Sequence, residues 1–184
     1  MMQSERDVWG AVEFVDSVTA ATRSRLSLFW FPMVAFGVVS LFAAIAVYLF
    51  GLDAAGLVWF VGGCVGGIAT TVHYQRSNES DGLRTDATPY FFVVAVLALG
   101  NFLLPFLIDG DPAWAISLWT GASYLAFARL ERSSTILLVA GSFVALGLLF
   151  FALSVPLEFV CFSAVSGVVL LIGARAARPR EILA

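Results

Sequence analysis

Six long apolar runs divide this chain, and the segments around them alternate in charge. Arg6, Arg23 and Arg25 precede the first run. Arg76 and Arg84 lie between the second and third, Arg129 and Arg132 between the fourth and fifth, and Arg175, Arg178 and Arg180 follow the sixth. These are all ten basic residues; lysine is absent. The other connections carry only acids: Asp53, then Asp109 and Asp111, then Glu158. Each run approaches the roughly 20 residues that a helix needs to cross a bilayer core about 30 Å thick. A helix is also the only open-chain structure that satisfies its own backbone in lipid. Arginine beside a span favours the cytoplasmic side. The pattern predicts an all-α, polytopic membrane fold, with six transmembrane helices in three hairpins and both termini in the cytoplasm.

Composition agrees. Charged residues are 12% and hydrophobic residues 60% of the 184, and the mean hydropathy is +0.94; a soluble domain carries about 25% charged residues. The net charge of −3, with arginine confined to span flanks, leaves no basic stripe for nucleic acid. Cys64 and Cys161 fall at different depths and read as small apolar residues rather than a disulfide. No CxxC and no His/Cys cluster calls for a metal or cofactor. The first run follows a long acidic segment and continues to Phe50, which predicts a retained span and not a cleaved signal.

Three regions follow. Residues 1–25 form a cytoplasmic segment: Ser4 and Asp7 supply a helix start, and Val8, Val12, Val15 and Thr19 recur at helical spacing opposite Glu5, Glu13 and Asp16. This predicts an N-terminal amphipathic helix. Residues 26–174 form the transmembrane domain, with spans near 27–50, 54–72, 90–108, 113–128, 134–153 and 157–174. Residues 175–184 form a cytoplasmic tail. The stretch 73–88 is the longest and most polar connection, and the fourth span is the shortest and most polar of the six.

Small residues mark the expected contacts. The second span holds Gly62, Gly63, Gly66 and Gly67, two interleaved GxxxG pairs that predict a central helix gripped on two sides, or a homo-oligomer seam. Ser117/Gly121, Gly141/Ala145 and Ser163/Gly167 repeat the spacing in spans four, five and six. Polar residues inside lipid are the strongest functional pointers. Here they are Asn101, on the third span, and Ser117, Thr120, Ser123 and Tyr124 on the fourth. A tight turn joins these spans, so Asn101 and Thr120 share a depth. Asn101 is expected to hydrogen-bond Ser117 or Thr120, or, with Tyr124, to line a small polar pocket rimmed by Asp53, Asp109, Asp111 and Glu158. His73 and most tryptophans sit at span ends as interfacial residues, whereas Trp119 lies deeper and is expected inside the bundle.

No GxSxG, HExxH, Walker motif or intramembrane aspartate pair occurs, so no enzyme activity is expected. The polar material lies on the cytoplasmic side. The leading expectation is therefore a regulatory or scaffolding protein that binds a cytosolic or membrane partner through residues 1–25 and 73–88. The alternative is a small-solute permease or a substrate-binding subunit of a modular transporter. In size and number of spans the chain resembles the substrate-capture subunits of modular vitamin and metal transporters, although the long N-terminal segment departs from them. Arginine without lysine points to a GC-rich genome and hence to the plasma membrane of a prokaryote.

Overall fold

A computed structural model describes residues 29–81, 88–108, 112–153 and 157–178, with residues 77–81 described in backbone alone. The expected helix in 1–25, the acidic turn at Asp109 and Asp111, and the tail beyond Arg178 lie outside the described residues. Six helices follow one another: α1 Trp30–Phe50, α2 Asp53–Asp81, α3 Thr88–Leu107, α4 Ala113–Glu131, α5 Ser134–Ala152 and α6 Glu158–Ala177. Five are long and apolar enough to cross a membrane; α4 is the exception, as its serines and threonine imply. At 1.5 Å per residue, helices of this length reach roughly 30 Å.

Their ends follow from local chemistry. Gly51 adopts φ 87° after α1, and its N–H bonds Val47 O, closing the two-residue turn into α2. Arg132 takes the left-handed conformation after α4, and Ser133 then caps α5 by accepting from the Ile136 N–H at 3.4 Å. Asp53 and Glu158 each stand in the first turn of a helix, where a negative charge complements the helix dipole.

The polar connection is shorter than expected. α2 continues to Asp81, past the apolar stretch, so most of 73–88 is helix. No proline interrupts this segment, and once past the lipid a helix needs no apolar side chains to continue. α4 likewise runs to Glu131 and α6 to Ala177, so Arg129 and Arg175 ride on the last turns of these helices.

The helices contact one another in the order α2, α1, α6, α5, α4, α3, with a further small contact between α4 and α6. Two antiparallel seams dominate. At α1–α6, a Cβ on Gly167 would meet Leu41 Cγ at 2.7 Å and the Gly37 carbonyl oxygen at 2.9 Å. At α4–α5, a Cβ on Gly147 would meet Leu118 Cγ at 2.7 Å and the Trp114 carbonyl at 2.9 Å. One on Gly121 would meet Val144 Cγ2 at 2.8 Å. Lipid supplies no hydrophobic drive between helices, so backbone approach through such residues holds the seams.

α2 is peripheral, not central. Gly62 lies under Val39 and Gly66 beside Phe36, but beyond Gly63 and Gly67 there is open space. One glycine face packs on α1 and the other looks outward. Gly141 and Ala145 also face away from the bundle. GxxxG spacing marks a face that permits close approach without saying which of two adjacent faces is used.

Gly167→Val should cost about 1–3 kcal/mol by overpacking, whereas Gly63→Val should cost under about 0.5 kcal/mol. Thermal melts of both variants in detergent, followed by circular dichroism, check this.

Candidate functional site

The residues expected to form a polar pocket are placed in two different seams. Ser117 is fully buried, and its Oγ donates to the Phe143 carbonyl of α5 at 2.8 Å rather than meeting Asn101. Tyr124 is only 6% exposed; its ring stacks on Phe143 at 5.6 Å and meets Phe127 edge-on at 5.9 Å. Thr120 is buried on the same helix. Ser123 Oγ bonds the Trp119 carbonyl one turn back, at 3.0 Å. The α4–α5 side of this depth is thus filled by side chains. Asn101 stands apart, half-buried on α3, with its Oδ1 enclosed and no hydrogen-bond partner. Asp53 is exposed at the far end of the bundle and Glu158 is partly covered; Asp109 and Asp111 fall outside the described residues.

Trp119 makes the α3–α4 seam instead. Its indole Nε1 lies 3.3 Å from both the Val96 and Leu97 carbonyl oxygens and donates between them. The ring fills a notch at Gly100, where any Cβ would collide with it. The seam needs a flat aromatic opposite a glycine. Gly100, directly before Asn101, was the available signal, but no GxxxG partner draws attention to it. The inward position expected for Trp119 holds; the contact expected for Asn101 does not.

Two shallow grooves mark the lateral surface. One, of about 610 Å³, runs between α3 and α4 at the arginine end, past Pro89, Phe92, Ala126 and Arg129. The other, about 400 Å³, runs between α1 and α2 toward the acidic end, past Val39, Phe42, Leu57 and Val61. Both are almost wholly apolar, and Asn101 lines neither.

The polar and aromatic residues that do converge lie at the arginine end. Tyr90 of α3 hydrogen-bonds the Glu131 carboxylate at the end of α4, and Tyr74 of α2 faces the same carboxylate. The Tyr74 hydroxyl and Glu131 Oε1 are each buried without a hydrogen-bond partner. Phe29 joins this corner, 4.3 Å from Phe127 and 6.0 Å from Tyr90 between ring centroids. Burial pushes the Glu131 carboxyl above the usual range, partly offset by the Tyr90 hydroxyl. His73 lies nearby, stacked on Phe31 at 4.3 Å and edge-to-face with Trp30 at 5.3 Å. It stands where the apolar part of α2 ends, half-buried against these rings. Among the described residues, no group of three His, Cys, Asp or Glu side chains is placed to hold a metal ion. Neither cysteine is disulfide-bonded, and Cys64 is exposed.

Antiparallel helices with small-residue seams and broad apolar outer faces define a polytopic helical membrane protein. No protein family, curated protein or solved structure matches this chain.

Two outcomes are expected. Trp119→Phe removes a hydrogen bond in lipid and should cost about 0.6–2 kcal/mol, while Asn101→Leu loses no protein hydrogen bond and should melt at or above the wild-type temperature. Guanidinium-free thermal scanning in matched detergent separates the two. For Glu131, a pKa raised by folding means that the protonated form is favoured in the bundle. That contribution is present at acid pH and is lost as pH rises from about 4.3, the unperturbed value, through the folded one. Glu131→Gln should therefore raise the melting temperature at pH 7 and flatten its dependence on pH.

Proposed function

We propose that this is a non-catalytic, multi-pass protein of a prokaryotic plasma membrane, with the arginine ends in the cytoplasm. In this reading it regulates or scaffolds a partner bound through residues 1–25 and 73–88. One observation carries the proposal: the polar side chains of α4 are used in packing. Ser117 is tied to the α5 backbone, and Tyr124 stacks on Phe143 and meets Phe127 edge-on. The mid-depth of this seam is therefore solid, which suits a structural bundle better than a solute route. α2 adds support, because it carries its helix past the apolar stretch to Asp81 and so extends a polar helical segment on the arginine side.

The alternative, a permease or substrate-binding subunit, is favoured by one feature. Asn101 Oδ1 is enclosed without a protein partner, the state of a group that meets a small polar solute or a water.

Affinity purification in mild detergent tests the first reading, comparing the full chain with one lacking residues 1–25. Loss of a specific co-purifying protein, with the melting temperature unchanged, is expected. An unchanged set of partners rules out docking through that segment. Under the alternative, a solute raises the melting temperature of the wild type and not of Asn101→Leu.

A further inference from the structure

At the arginine end, α1, α2 and α6 build a second cluster, separate from the Glu131 corner. The Arg178 guanidinium lies over the Trp30 ring, 5.5 Å from its centroid. Arg175 is one turn earlier on α6 and exposed. His73 is held by its stack on Phe31 and its edge-to-face contact with Trp30, and Arg76 follows one turn later on α2, also exposed. Residues three apart on a helix are surface neighbours. Trp30, Phe31, His73 and Arg178 thus meet where α1, α2 and the end of α6 come together, with Arg76 and Arg175 exposed one turn away along α2 and α6.

Three properties set it apart from scattered flanking charge. First, Arg178 is already ordered by its cation–π contact, so less side-chain freedom is lost when an anion arrives. Second, the stack on Phe31 occupies one face of His73, and the ring nitrogens at the rim are what it offers to a polar group. Third, the acid at this end whose side chain is described, Glu131, stands on α4 against Tyr90 of α3, on a different helix from each of these four basic groups. Guanidinium groups in this arrangement suit a phosphate. The depth selects its source. Trp30 begins α1, and tryptophan beside arginine at the end of a span lies at the level of lipid headgroups.

We infer that the corner formed by Trp30, Phe31, His73, Arg76, Arg175 and Arg178 binds the phosphate of an anionic phospholipid in the adjoining leaflet. The lipid phosphodiester sits against the guanidinium groups, and its acyl chains run along the exposed apolar side of α1 at Val38 and Phe42. Basic groups near an anionic leaflet contribute about 1 kcal/mol each, which is about fivefold in affinity.

Native mass spectrometry of the full chain, released from nanodiscs of equal phosphatidylglycerol and phosphatidylcholine, tests this. One retained phosphatidylglycerol, several-fold over phosphatidylcholine, is expected. Arg178→Gln should lower retention about fivefold and the Arg175→Gln/Arg178→Gln pair further, while Arg129→Gln, on α4, should behave as wild type. Circular dichroism melts confirm that each variant is folded. Equal retention of the two lipids overturns the proposal, as does an equal loss in Arg129→Gln, which would mean diffuse surface charge. Displacement of the lipid by millimolar inorganic phosphate would assign the corner to a soluble anion. Displacement by an acidic peptide would assign it to a protein partner.

Discussion

The bundle depends on backbone meeting backbone at two seams. At α1–α6 and α4–α5 a glycine on one helix lies so close to a carbonyl of the other that no Cβ fits between them. Lipid solvates leucine as well as another helix does, so the apolar area that would hold a soluble bundle counts for little here. What remains is dispersion at short range and a few interhelical hydrogen bonds, and both require removing side-chain bulk from the contact. The two pairs α1–α6 and α4–α5 are the consequence. α2 and α3 attach to them from outside, each through one neighbour.

The same condition explains why the least apolar helix is the best enclosed. Ten residues of α4 are buried, among them Ser117, Thr120, Ser123 and Tyr124, while α3, far more apolar, buries none completely. In water the apolar helix would have been covered. In lipid the ranking inverts, because a hydroxyl facing hydrocarbon lacks a partner, whereas a phenylalanine facing it does not. Ser117 finds its acceptor in a carbonyl of α5, and Ser40, Ser123 and Ser142 bond a carbonyl one turn back. Phe91, Phe92, Phe102 and Phe106 form the outward face of α3.

Much of this was legible in the residues. The apolar runs and the arginine clusters mark the helices, and the described arginines Arg76, Arg129, Arg132, Arg175 and Arg178 stand at one end. Ser163/Gly167 and Ser117/Gly121 identify seams that form. What stayed illegible was choice among equivalent faces. Gly62 and Gly66 pack while Gly63 and Gly67 do not, because a rotation of about 100° about the helix axis separates them and only the partner decides. Shared depth was equally insufficient for the candidate site. Asn101 and Thr120 are expected at one level, yet Trp119 occupies the space between α3 and α4 and Ser117 turns to α5. A large ring opposite a glycine outranks a pair of small polar groups, because it supplies dispersion and a hydrogen bond from one side chain. The extension of α2 was missed for a different reason: polar sequence past the lipid reads as a loop, although nothing in it breaks a helix.

The seams also divide the bundle into two halves, α2–α1–α6 and α5–α4–α3. They join through α6, which touches α5 and, to a smaller extent, α4. On the opposite side the described links between them gather at the arginine end: Phe29 against Tyr90 and Phe127, and Tyr74 facing the carboxylate that Tyr90 holds. Removing charge from Glu131 therefore acts where the halves meet, without touching either glycine seam. The helices it concerns, α2 and α3, are those held by single neighbours, so they are the elements whose displacement breaks the fewest contacts.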